Sequence, residues 1–318
     1  MNGLTDIAGI RVGHISDYEA LTGCTAVLCE CGAVAGADIR GSATGTQEFD
    51  TLSPGHVTPQ IHAVVFAGGS AFGLESASGV RRYLAGRGLG FPTSGGPVPI
   101  VPCAILYDLA IGKPHVSPTR EMGEAAAAAA TSGPVKEGSV GAGTGATVGK
   151  VFGMGRAMKG GVGSFTVQLE ERYAGVSVSA LVVVNALGDV RDPETGKLIA
   201  GARVAPGSRE FANTERAMKR GVMGGFRGGN TTLAVVATNA RLSKLQATKL
   251  AQLGQLGLAR TIYPVHTMSD GDVVIALSLG GEQADVNALG VAAAEAVAQS
   301  VLRAVRKAPT LGGVPGLA

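Results

Sequence analysis

Several segments of this chain are apolar at consecutive positions rather than alternate ones, and that pattern limits the fold more than any other feature. The segments 63–67, 176–184, 231–237 and 272–277 all read as strands, rich in Val, Ile, Leu and Ala. A strand with one solvated face alternates apolar and polar residues, whereas one apolar on both faces is covered on both sides. Such strands sit between layers. Helices are expected among them. The stretch 68–73 turns the strand at 63–67 into a helix running to about Leu84, and Ser117-Pro118 caps a helix through 125–130. Ser243 opens a helix with Leu245, Leu250 and Leu253 on adjoining faces, and Asp285 opens an Ala/Val-rich helix to about Arg306. Residues 7–14 and 24–31 read as further strands, and 37–46 as a polar, glycine-rich loop. The expected class is α/β, a single domain over 1–318 whose sheets are covered by helices.

Composition narrows the function classes. A hydrophobic content of 45% supports a large core in a chain of 318 residues. The 50 glycines are dispersed and without period, which excludes collagen and implies many tight turns. Aromatic residues make up only 4%, with no Trp, and the net charge is +3 with no long basic run. Neither nucleic acid nor an anionic membrane is therefore an expected partner. No segment reads as long enough to span a membrane, and residues 1–6 lack the basic and apolar regions of a signal peptide, so a cytoplasmic protein is the default expectation. Cys24, Cys29, Cys31 and Cys103 show no ligand spacing and are expected to be buried free thiols. No metal or cofactor is expected.

The candidate chemistry lies at Gly229-Asn230-Thr231-Thr232, where the glycine-rich stretch 221–229 meets the strand at 231. A Thr hydroxyl at a strand start, fed by a loop that bends sharply, suits self-cleavage. Thr231 Oγ would attack the Asn230 carbonyl, and the freed α-amine would then serve as base for the same hydroxyl. The alternative is a glycine-rich hairpin leading into an ordinary strand. The linker-like stretch 190–229 ends at this point, as a processing loop should. Other motifs fail. The run 143–150 has Thr144 where a phosphate loop needs Gly, and Val151 where it needs Ser or Thr. Neither Ser70 nor Ser139 sits in a complete nucleophile elbow, and the five histidines show no metal-ligand spacing. Asp270-Gly271-Asp272 reads either as a solvated turn or as two carboxylates serving Thr231.

Six segments, 68–74, 105–108, 143–150, 182–185, 229–239 and 266–272, together resemble in content and order the DmpA-like aminopeptidases, a family that includes β-peptidyl aminopeptidases and nylon-oligomer endoamidases. The resemblance implies a layered αββα sandwich like that of N-terminal nucleophile hydrolases, cleaved into an α segment (1–230) and a β segment (231–318) that stay associated. It implies Thr231 as nucleophile, Asn185 as oxyanion donor, Asp270 and Asp272 as the carboxylates beside the nucleophile, Lys150 as a buried cation and Tyr107 as a pocket hydroxyl. It also implies a homo-oligomer of αβ units, a tetramer. The aminopeptidase branch typically pairs a Ser nucleophile with Ser-x-Glu. Here Asn230-Thr231-Thr232 and Asp270-Gly271-Asp272 match the nylon-oligomer endoamidases instead. The expected activity is hydrolysis of linear amides through an acyl-enzyme. The alternatives are an aminopeptidase for small or β-amino acyl peptides, an acyltransferase of the ornithine acetyltransferase type, and an unprocessed small-molecule-binding protein.

Overall fold

A computed structural model describes residues 3–222 and 229–318, so most of the glycine-rich approach to Asn230, residues 223–228, lies outside the described residues. The first half of the chain holds β1 (Arg11–Asp17), β2 (Thr22–Ile39), β3 (Gly45–Gln47), β4 (Ile61–Ala67), α1 (Glu75–Ala85), β5 (Cys103–Ile105) and α2 (Arg120–Ala128). There follow β6 (Thr147–Val148), β7 (Met158–Lys159), β8 (Gly161–Gln168), β9 (Ser177–Asn185), β10 (Asp189–Arg191), β11 (Leu198–Ala200) and α3 (Thr214–Lys219). The chain closes with β12 (Thr231–Ala240), α4 (Lys244–Thr261), β13 (Ile262–Tyr263), β14 (Val273–Glu282) and α5 (Val286–Arg306).

Two sheets share one long strand. The N-terminal part of β2 pairs with β1 and β4, and β4 continues through β5 to β3. After a register break between Leu28 and Ala33, β2 pairs with β14 in the second sheet, which continues β14-β12-β9-β8. Alternate residues of the central strands feed different cores. Leu233, Val235, Val273 and Ile275 meet Val64, Phe66 and Leu106 of the first sheet between the sheets. Ala234, Val236 and Val274 pack under Leu250, Leu258, Val297 and Val301 of α4 and α5. On the far side, Ala26, Ala63 and Val65 pack under Ala77, Val80 and Ala126 of α1 and α2. The order of layers is helix, sheet, sheet, helix. This is the expected αββα sandwich, and it explains why the central strands are apolar on both faces.

Several local expectations change. The segment 7–14 is not one strand: a 3-10 turn at Leu4–Asp6 precedes β1, which runs on to Asp17. α2 is capped by Thr119, whose hydroxyl accepts from Met122 N–H, rather than by Ser117. Leu245 is exposed while Leu250 is buried, so their helix buries a narrower face than its leucines suggest. Cys31 is exposed, and the other three thiols are buried. The stretch 190–229 is not a bare linker, since β11, α3 and part of β10 lie in it. Among the described residues one helix, α5, is long and apolar enough to cross a membrane, with a mean hydropathy of 1.4 over its best window, contrary to the expectation that no segment is. It is mostly buried, packed against α4 and the second sheet, as a central helix apolar nearly all round should be.

Candidate active site

The strand register brings the site together. Thr231, the first residue of β12, lies directly opposite Asn185, the last of β9, and Asp272 immediately precedes β14. Side chains alternate along a strand, so Thr231 and Asn185 point with Leu233 and Val183 into the layer between the sheets. Thr231 is 3% exposed, and Asp270 and Asp272 are each 1% exposed. The Thr231 hydroxyl donates to the carbonyl oxygen of its own upstream neighbour, Asn230, at 2.5 Å. The same oxygen accepts from Gly271 N–H at 2.9 Å. Gly271 is the middle residue of the Asp-Gly-Asp run, and a Cβ there would stand 2.9 Å from Thr231 Oγ1 and 2.7 Å from the Ala43 carbonyl oxygen. Only glycine leaves room for both the hydroxyl and the crossing loop at 40–44.

Lys150 and Asn185 form the opposite wall. Lys150 Nζ donates to Asn185 O at 2.8 Å, Asn185 Oδ1 at 2.9 Å and Gly229 O at 2.9 Å. Asn185 Nδ2 donates to Tyr107 O at 3.0 Å and Gly229 O at 3.3 Å. The Asn185 amide is thus shared between Tyr107 O and Gly229 O, while the Asn230 carbonyl is served by Gly271. The run 143–150, once its phosphate-loop likeness is set aside, has a different use: Thr147 N–H donates to Asn185 Oδ1 at 3.0 Å, and Lys150 follows three residues later. Gly149, in the left-handed region at φ +70°, lets this turn lie against the backbone at 201–202, where a Cβ would stand 2.0 Å from Ala202 N.

The carboxylates are held from the other side. Asp270 Oδ1 accepts from Leu187 N–H at 3.2 Å and its Oδ2 from Thr267 N–H and Oγ1. Asp272 Oδ1 accepts from Thr232 N–H at 2.7 Å and its Oδ2 from His266 N–H and Nδ1. Burial, reinforced by the neighbouring charge of Asp272, pushes the Asp270 carboxyl up. Burial pulls Lys150 down to about 7, against the attraction of Asp270 and Asp108. The three acceptors of Lys150 use all three N–H bonds of an ammonium. Burial outweighs the ion-pair attraction on both partners.

A cavity of about 290 Å³ opens beside Gly229 and Asn230, between Tyr107, Ala110, Ile111, Met154 and Leu187, with Asp108 and Lys150 as its charged lining. The family model for peptidase family S58 matches residues 2–318. The chain belongs to peptidase family S58. It is a hydrolase of peptide or amide bonds in that family, and relatives span both branches anticipated from the motifs. An uncharacterised aminopeptidase of Mycobacterium leprae is 40% identical over 99% of this chain and 93% of its own length. A 6-aminohexanoate-oligomer endohydrolase of a Kocuria species is 29% identical, over 95% of this chain and 85% of its own length. Among solved structures, the L-aminopeptidase D-Ala-esterase/amidase of Ochrobactrum anthropi, described as a variant of the Ntn hydrolase fold, superposes with a TM-score of 0.74 at 21% identity, over 99% of this chain and 88% of that one.

Every S58 candidate named from sequence is within this neighbourhood: Thr231 bonds Asn230, Lys150 bonds Asn185, Asp270 and Asp272 hold Leu187 and Thr232 next to them, and Tyr107 meets Asn185 through its carbonyl and lines the cavity. Sequence reasoning missed Gly271, whose contribution is a backbone N–H. It also missed Asp108 and Lys159. Asp108 accepts from Thr22 Oγ1 and Gly69 N–H, each at 2.7 Å, and burial pushes its carboxyl up to about 6. Lys159, 1% exposed, donates to Thr144 O at 2.7 Å, and burial pulls it down to about 7.

Proposed function

We propose that the chain cleaves itself between Asn230 and Thr231 and then hydrolyses linear aliphatic amides through an ester on Thr231. The observation that carries this reading is the Asn230 carbonyl oxygen, which meets both the Thr231 hydroxyl and the Gly271 N–H. A donor at that oxygen stabilises the negative charge that develops as Thr231 Oγ1 adds to the carbonyl carbon. The hydroxyl proton passes to the Thr231 nitrogen, the C–N bond breaks, and an ester joins Asn230 to Thr231 Oγ1. Water then hydrolyses the ester, leaving a carboxylate on Asn230 and a free α-amine on Thr231. That amine, with an ordinary pKa of roughly 7.7–8.0, is the base for the second reaction.

Once the tail at 229–230 withdraws, Asn185 Nδ2 and Lys150 Nζ lose their Gly229 acceptor and become donors for a substrate oxyanion. The Asp270 and Asp272 pair fixes the strand ends around the nucleophile. The cavity, with room for roughly ten waters and walls of Ile111, Met154, Leu187 and Tyr107, suits a short apolar acyl chain. The segments 1–230 and 231–318 remain together because β12 lies between β9 and β14 in the second sheet. The aminopeptidase reading has one observation in its favour: Asp108 puts a carboxylate on the cavity wall, where a substrate ammonium would find a partner.

Product analysis separates the readings. Linear aliphatic amide oligomers with free and with acetylated amino ends are incubated with the protein, with and without an amine acceptor. Internal cleavage of both oligomers, dependent on Thr231, is expected. Cleavage of the free-ended oligomer alone would establish the aminopeptidase, and acyl transfer to the added amine the acyltransferase. Turnover undiminished in Thr231→Ala would overturn the nucleophile itself.

A further inference from the structure

Two adjacent residues hold the two carboxylates in the same way. His266 directs both its backbone N–H, at 3.0 Å, and its ring Nδ1, at 2.9 Å, to Asp272 Oδ2. Thr267 directs its N–H, at 3.2 Å, and its hydroxyl, at 2.5 Å, to Asp270 Oδ2. The remaining oxygen of each carboxylate holds a strand end. Asp272 takes the N–H of Thr232, one residue past the nucleophile, and Asp270 takes the N–H of Leu187, two residues past Asn185. With Asp272 ionised, Nδ1 is the protonated ring nitrogen, because a carboxylate only accepts. The other ring nitrogen, Nε2, is buried and without a partner. The backbone of His266 lies in the left-handed region at φ +57°, which few residues other than Gly adopt, with Asn, Asp and His the more frequent among them. A left-handed backbone and a buried, unserved nitrogen each carry some cost. What this conformation gains in return is the double contact with Asp272.

We propose that His266 and Thr267 are the positioning residues of this site: each clamps one carboxylate, and through the pair they hold the start of β12 and the end of β9 at the spacing that brings Thr231 Oγ1 onto the Asn230 carbonyl. The proposal rests on the reading of Thr231 as the self-cleaving nucleophile. Neither residue touches the reacting atoms. Their loss acts through orientation, and small displacements of a reacting pair cost up to roughly 100-fold in rate.

The test follows the rate of self-cleavage in full-length chains made without prior processing, alongside circular dichroism. His266→Gly removes the ring while relieving the backbone, and Thr267→Val removes the hydroxyl at nearly constant shape. His266→Asn restores a donor at the Nδ1 position and tolerates the left-handed backbone; Thr267→Ser restores the hydroxyl. We expect folded Gly and Val variants that cleave about 10- to 100-fold more slowly, with cleavage recovered in the Asn and Ser variants. Cleavage at the wild-type rate in the Gly and Val variants would overturn the proposal, as would folded Asn and Ser variants no faster than their partners. Should His266→Gly not fold, the Thr267 pair decides alone. A wild-type chain that never cleaves after residue 230 would instead refute the nucleophile reading.

Discussion

At the scale of single residues, Asn185 and Gly271 divide the work of binding a carbonyl oxygen: the Gly271 N–H holds the Asn230 oxygen and the Asn185 amide holds the Gly229 oxygen. The two should respond differently to substitution. Asn185→Ala in the cleaved enzyme is expected to lower kcat by about 10²–10³-fold with KM within a few-fold, since an oxyanion donor acts chiefly in the transition state. Steady-state kinetics on an amide oligomer checks this, and a loss confined to KM would make Asn185 a substrate-binding residue instead. Gly271→Ala should slow self-cleavage while leaving the circular dichroism spectrum unchanged, because the added methyl group crowds Thr231 Oγ1 at 2.9 Å. Cleavage at the wild-type rate would show that the hydroxyl has more freedom than the geometry allows. Thr231 stood out in the sequence because a hydroxyl at a strand start has its own pattern, and the structure sets the Asp270 and Asp272 carboxylates buried beside it rather than in a solvated turn. Asn185 was not readable from its own surroundings, since an Asn at a strand end has no distinguishing pattern, and only its place in an ordered set of family motifs marked it. Gly271 was read as part of a turn because a backbone N–H is common to every residue but proline.

At the scale of elements, the apolar strands were legible because burial on both faces removes the polar alternation. The 18-residue length of β2 was not, since glycines at 32 and 36 and the acidic Glu30 interrupt its pattern. Those glycines serve contacts invisible in one dimension: a Cβ on Gly36 would stand 2.3 Å from the backbone nitrogen of Thr248 in α4. Helices α1 and α2 meet in the same way, with a Cβ on Gly79 only 1.8 Å from Arg120 O and one on Gly123 only 1.9 Å from Ser76 O. The obstructing atoms are backbone and cannot swing aside. Gly123→Ala is therefore expected to destabilise the fold by about 1–3 kcal/mol. Urea unfolding, in a Thr231→Ala background that keeps the chain whole, measures it. An unchanged midpoint would mean that the two helices separate without cost.

At the scale of the whole molecule, the sandwich buries ionisable groups deeply enough for stability to follow pH. Lys159 falls from 10.5 to about 7 on folding. Between those values the unfolded chain holds a proton that the folded chain does not, so this group makes stability rise with pH across that window. Lys159→Met removes its share, up to about 1.4 kcal/mol per pH unit, and comparing urea midpoints of the two chains across the window reads the difference. Equal slopes would mean that Lys159 keeps its proton in the fold. The same enclosure puts the Thr231 hydroxyl against the Asn230 carbonyl, on a strand held between β9 and β14, and the central proposal is that this hydroxyl breaks the peptide bond beside it. The intact mass of the purified protein, with N-terminal sequencing of its fragments, tests that claim most directly. Two fragments are predicted, ending at Asn230 and beginning at Thr231, and a single species in Thr231→Ala. A wild-type chain that stays whole on prolonged incubation, or a fragment that begins at Thr232, would contradict it.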